Sequence, residues 1–192
     1  MAHLVFVTGL PGVGKTSVLL KAAKELKKRG FRVGGMASSE AREGGVRVGF
    51  EIVDVSTGRR GWLAHVNQPA GPKVGKYRVN LNDLDKIGAV SIIEAVKHAD
   101  IIVVDEIGPM ELFSFAFKDA IVRAMESGKT VMGTIHQKAR DPLIATIKSD
   151  KNTEILEVTY ENRDRLHNLI IDRVLQSLGK LPFTNQDNGQ RS

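Results

Sequence analysis

The sequence predicts a three-layer α/β domain built on a mainly parallel β-sheet. Short apolar runs alternate with stretches whose apolar residues recur every three or four positions, as strands do when they feed covering helices. Between residues 37 and 81 that alternation stops, and turn residues separate short strand-like runs, which marks antiparallel hairpins. The 192 residues are enough for one sizeable core and few for two.

In chain order, Leu4 to Val7 reads as a buried first strand. The helix after it shows Val18, Leu19, Ala22, Ala23 and Leu26 on one face, and Gly30 ends it. Phe31 to Met36 gives a second strand. Gly44-Gly45, Val46 to Val55, the turn Ser56-Thr57-Gly58, Trp62 to Val66 and Lys76 to Val79 then form the hairpin section. It is too small for its own core, so an extension of the main sheet is expected rather than a second domain. Ile101 to Val104 is a central parallel strand, followed by a helical stripe of Phe113, Phe117, Ala120, Ile121 and Ala124. Thr130 to Ile135 and Glu154 to Val158 add two strands. A last helix spans about Glu161 to Leu178, with Leu166, Leu169, Ile170, Val174 and Leu178 on one side. Residues 1–180 are thus read as one domain and the polar stretch 181–192 as a disordered tail.

Composition narrows the function classes. Hydrophobic residues make up 42% and charged residues 26%, the balance of a folded chain. No apolar run approaches the roughly 18–20 residues that span a bilayer, and the N-terminus lacks the basic start of a signal peptide. With no cysteine, thiolate metal sites and cysteine nucleophiles are excluded, and a cytoplasmic location is the expectation. The net charge of +6 invites a nucleic-acid reading. Much of the excess sits in Lys21, Lys24, Lys27, Lys28, Arg29 and Arg32, opposed only by Glu25. Cations gather naturally near a helix C-terminus, and no aromatic residue interleaves to form a stacking platform. A solvated helix face is therefore preferred to a nucleic-acid surface, and a monomer to an assembly.

The most informative segment is Gly9-Leu10-Pro11-Gly12-Val13-Gly14-Lys15-Thr16, which satisfies G-x-x-x-x-G-K-[ST]. Glycines let the backbone curl so that successive N–H groups converge on phosphate oxygens. The following helix adds its unpaired amides and positive dipole end. Lys15 is expected to reach the β- and γ-phosphates, and the Thr16 hydroxyl to ligate Mg²⁺. A second motif, Asp105-Glu106, lies where the strand Ile101–Val104 emerges at the sheet's C-terminal edge, where open α/β sheets bind ligands. Asp105 is placed in the Mg²⁺ shell. Glu106 points elsewhere and is assigned the attacking water.

Together, Gly9–Thr16 and Asp105-Glu106-Ile107-Gly108-Pro109-Met110-Glu111-Leu112 strongly resemble a nucleoside-triphosphatase family with thermophilic and cancer-related animal members. Glu40 to Phe50 and Val74 to Val79 look like that family's hairpin signature. The resemblance covers about Leu4 to Leu178. It implies a P-loop fold of the RecA-like branch, with a strand inserted between the loop-bearing and acidic strands. It also implies Mg²⁺-dependent hydrolysis of several nucleoside triphosphates to diphosphate and phosphate.

Other positions carry alternatives. Arg163 follows the last strand and is read as a transition-state or nucleotide-contacting arginine, or else as an exposed first-turn residue. Arg42 and Arg47 are phosphate or partner contacts, or hairpin charges. Thr134 or His136 could sense a γ-phosphate from the end of its strand. Met110, Phe113, Phe115 and Phe117 are assigned to the core. No Asn/Thr-Lys-x-Asp guanine motif is present, so broad base tolerance is expected. The competing functions are a P-loop small-molecule or nucleotide kinase and a nucleotide-gated nucleic-acid-binding protein. A kinase would want a lid with clustered arginines, and Arg59-Arg60 is the one adjacent pair.

Overall fold

The structure is a computed structural model, and it describes residues 3–180. The tail expected over 181–192 lies outside the described residues. The chain lays down β1 (Leu4–Thr8), α1 (Lys15–Lys28), β2 (Val33–Glu43), β3 (Val46–Asp54), β4 (Arg60–His65), β5 (Lys73–Val74) and β6 (Tyr77–Val79). A short α2 (Leu81–Asp83) runs through a π-helical turn (Leu84–Ala89) into α3 (Val90–His98). Then come β7 (Ile101–Ile107), a 3-10 turn (Glu111–Phe113), α4 (Phe115–Glu126), β8 (Thr130–Ile135), α5 (Pro142–Ser149), β9 (Thr153–Glu157) and α6 (Arg163–Ser177).

All nine strands join one sheet in the order β5-β6-β4-β3-β2-β7-β8-β1-β9. From β2 to β9 the pairing is parallel, and β8 lies between the loop-bearing β1 and the acidic β7, as the resemblance implied. From β3 outward the pairing is antiparallel, so the hairpin section extends the same sheet.

The parallel strands are apolar throughout because both faces are covered. Along β1, Leu4 and Phe6 join one buried cluster while Val5 and Val7 join the other. The first cluster includes α3, α4 and α5 residues such as Ile92, Phe117 and Ile144; the second takes Leu19 and Leu26 of α1 and Ile170 and Val174 of α6. The five apolar residues predicted for α1 are its buried ones. Its basic face is exposed, with Lys28 and the capping Arg29 near Glu25; in the connection to β2, Arg32 binds Asp100 at 2.6 Å.

Several boundaries differ from expectation. β2 continues past Met36 to Glu43 because its far half leaves β7 and pairs with β3, from Met36↔Asp54 to Glu43↔Val46. There burial gives way to exposure, which erased the apolar signal. Gly35 marks the close approach of β2 to β7: at φ 119°, a Cβ there would lie 2.1 Å from the Val103 carbonyl oxygen. The helical segment from Leu81 to His98 had no predicted counterpart, since its π-helical turn breaks the regular apolar spacing. Phe117 is core as expected, but Phe113 and Phe115 are 46% and 87% exposed. α4 begins only at Phe115, with Ser114 capping the Phe117 amide, and turns Phe115 outward.

Candidate active site

β1 delivers the chain to the sheet edge, and Gly9 turns it away from β9. At φ 148° it passes so close that a Cβ would sit 2.6 Å from the Val158 carbonyl oxygen. Val13 is buried and anchors the loop, while Leu10, Pro11 and Gly12 face solvent. Gly14, at φ 107°, precedes α1 without a side-chain cap, so the helix's first amides remain directed at the loop. The Lys15 ammonium donates to the Gly9 and Leu10 carbonyls at 3.2 and 3.3 Å.

The Thr16 hydroxyl donates to Asp105 Oδ1 at 3.1 Å, joining the loop to the acidic strand. Thr134, at the end of β8, donates to the same oxygen at 2.6 Å. Asp105 is fully buried, and its Oδ2 has no hydrogen-bond partner among the described residues. Burial pushes its carboxyl up, opposed by the two hydroxyl donors. The β7 ladder shifts register between Val104 and Ile107, which frees Asp105 and Glu106 from strand pairing. Glu106 Oε1 is likewise buried without a partner, and desolvation raises this carboxyl to about 7 against the pull of Lys15.

A cleft of about 480 Å³ opens over this arrangement. Gly14, Lys15 and Thr16 form one wall, Glu106 and His136 stand at the sheet edge, and Ser38 and Ser39 continue the floor along β2. Burial and the nearby Lys15 charge lower the His136 pKa, favouring the neutral ring.

The sequence model of a family described as NTPase matches residues 4–171. The chain belongs to this NTPase family. It is 45% identical over 161 residues to the nucleoside-triphosphatase THEP1 of Thermofilum pendens, covering 83% of this chain and 88% of that one. It is also 45% identical to the THEP1 of Methanosarcina acetivorans, covering 91% and 98% of the two chains. The solution structure of a human cancer-related nucleoside triphosphatase is similar at TM-score 0.78 and 35% identity, covering 91% of this chain and 98% of that one. The crystal structure of THEP1 from Aquifex aeolicus reaches the same TM-score at 29% identity, covering 89% and 98%.

Within this NTPase, the predicted site residues fall into two groups. Gly9 to Thr16, Asp105 and Glu106 converge at one sheet edge. Arg163 does not line the cleft with Glu106. As the first residue of α6 it passes Gly14, where a Cβ would lie 3.8 Å from its Cδ, and its exposed guanidinium sits 5.3 Å over the Tyr160 ring. Arg42 is a hairpin charge, bound to Glu40 at 2.7 Å and to the Gly45 carbonyl. Arg47 reaches the cleft wall but is paired with Glu40 at 2.6 Å. Thr134 holds Asp105 and leaves His136 as the strand-end residue facing the cleft.

Sequence reasoning assigned no role to Glu111. It is 4% exposed, and burial raises its carboxyl to about 8, reinforced by Glu106 and Asp105. The available signal was a carboxylate set between Met110 and Leu112, an acid in apolar company that invites burial. No helix among the described residues is long and apolar enough to cross a membrane.

Proposed function

We propose that this chain carries out Mg²⁺-dependent hydrolysis of nucleoside triphosphates to diphosphate and phosphate, with tolerance for several bases. The observation that carries the reading is the Thr16–Asp105 hydrogen bond, which sets the phosphate loop beside the unpartnered Glu106 oxygen. The loop amides and the α1 N-terminus bind the β- and γ-phosphates. Lys15 leaves the Gly9 and Leu10 carbonyls for the phosphate oxygens, a stronger, charge-assisted contact.

The residues present fit a magnesium ion. Asp105 Oδ2 is a buried oxygen lacking a donor, and the Thr16 hydroxyl lies beside the same carboxylate. Among the described residues no three His, Asp or Glu side chains gather to hold a metal by themselves. That suits an ion bound through one or two protein oxygens plus phosphates and water. Bound there, magnesium supplies charge neutralisation across the phosphate oxygens.

Glu106 accepts a proton from water, whose oxygen attacks the γ-phosphorus as the bond to the bridging oxygen breaks. Arg163 passes Gly14 with its guanidinium over the Tyr160 ring, and the two take the nucleoside end of the substrate. A stacked ring and guanidinium contact any base face, which supports broad base use. The test is phosphate release from ATP, GTP, CTP and UTP, each with Mg²⁺ or with EDTA. Release from all four that EDTA abolishes is expected. Metal-independent release, or discrimination above about 10⁴ between bases, the scale of dedicated hydrogen-bond readout, would overturn the reading.

A further inference from the structure

The cleft continues from the phosphate loop past Glu106 onto the antiparallel strands, on the side away from the nucleoside. The direction follows from the sheet order and rests on the binding mode just proposed. β9 and its following turn lie on one side of β1, beside Gly14, and β7 with Glu106 lies on the other. A triphosphate anchored by the loop therefore runs from Tyr160 and Arg163 towards Glu106. No residue from Thr159 to Arg163 lines the cleft. Its walls continue instead beyond Glu106, onto β2, β3, β4 and β5 of the antiparallel extension.

This second chamber has its own chemistry. Leu63 is buried at its base, with half-buried Phe50, Val74 and Met110 around it. Phe50 meets the buried Tyr77 edge to face at 5.2 Å between ring centres. The Arg47 guanidinium lies 5.2 Å from the Phe50 ring centre and donates to the Tyr77 hydroxyl at 3.0 Å. Arg47 is also held by Glu40 at 2.6 Å, a carboxylate it shares with Arg42. The chamber thus offers apolar and aromatic surface, an arginine already engaged by Glu40 and the Tyr77 hydroxyl, and Ser38 and Ser39 of β2. It suits an uncharged molecule with a flat ring better than an anion or a cation. The whole cleft, at about 480 Å³, is within the size range of small-molecule sites.

We propose that this chamber binds an uncharged, ring-bearing alcohol and that its hydroxyl competes with water for the γ-phosphoryl group. Glu106 accepts the hydroxyl proton, and the alcohol oxygen forms the new bond to the γ-phosphorus. The bond to the β–γ bridging oxygen breaks, and its electron pair leaves on the nucleoside diphosphate. Alcohol and triphosphate become a phosphomonoester, a diphosphate and a proton, with no further reactant. Hydrolysis is then the outcome when the chamber holds only water.

The test uses the full chain with γ-labelled ATP, Mg²⁺ and one acceptor at a time: the four ribonucleosides in one arm and pyridinemethanol in the other. The products are separated as phosphomonoester and inorganic phosphate. Label is expected in the ester of at least one acceptor, and the two arms tell a nucleoside from a simpler heteroaromatic alcohol. Phe50→Ala should lower the ratio of ester to inorganic phosphate by about tenfold, the scale of one pocket contact. Val74→Trp, which fills the chamber, should do the same, and circular dichroism confirms that each variant folds. Label confined to inorganic phosphate with every acceptor overturns the proposal. So does a ratio that neither substitution changes. Absence of phosphate release from ATP alone is the separate result that would instead remove the hydrolytic reading.

Discussion

The parallel and antiparallel halves of the sheet bury their residues in different ways, and the site draws on both. Ile101, Ile102, Val103 and Val104 of β7 are all fully buried between two helical layers. On β3, by contrast, Ile52 is fully buried whereas Val46 is 60% exposed and Arg47 and Phe50 are half-buried. A strand sealed on both faces can present a desolvated acid at its tip, as it does with Asp105. A strand covered on one face leaves side chains free to line a pocket. The difference separates the chemistry of phosphate cleavage from the walls around it.

Substitutions at the sealed strand's tip should have the largest effect. Glu106→Gln is expected to lower kcat by about 10²–10⁴-fold while retaining nucleotide binding, checked by single-turnover hydrolysis and equilibrium titration. With wild-type Glu106, kcat/KM should climb with pH up to about 7 and then level, because the free enzyme's base must be deprotonated. The glutamine variant should lack that rise. Lys15→Ala should cost about 10²–10³-fold in kcat/KM, the scale of losing one charge-stabilising donor.

The contrast in burial makes stability predictions of graded size. Ile102→Ala, in the sealed half, should cost about 2–5 kcal/mol in denaturant unfolding. Glu111 supplies a pH signature. Its folded-state pKa of about 8 stands above the ordinary 4.5, so the native state retains a proton that the unfolded chain releases. Its contribution to stability should fall as pH rises between those values, by at most about 1.4 kcal/mol per pH unit, and Glu111→Gln should remove that contribution while leaving the one from Glu106, whose carboxyl is raised to about 7. Val46→Ala, on the open strand, should remain within about 0.5 kcal/mol of wild type.

The same division decides what could be seen in the sequence. Gly9 to Thr16 and Asp105-Glu106 were legible because phosphate chemistry dictates residue types at short, fixed spacing. The five apolar residues of α1 were legible because a single helical period runs through them. Glu111 and Thr134 were harder, since their roles come from packing against Asp105 and Glu106 and not from local pattern. The chamber was invisible: Ser38, Phe50, Leu63 and Val74 come from four strands and meet only through sheet register. Phe113 and Phe115 misled because their type suggests the core, whereas the start of α4 turns Phe115 outward.

The Lys15 ammonium resting on the Gly9 and Leu10 carbonyls has a consequence for experiments in solution. Any oxyanion that tempts this cation off its perch contends with substrate for the same amides. Buffers rich in sulfate or phosphate should therefore act as competitive brakes, raising the apparent KM and leaving the maximal velocity intact.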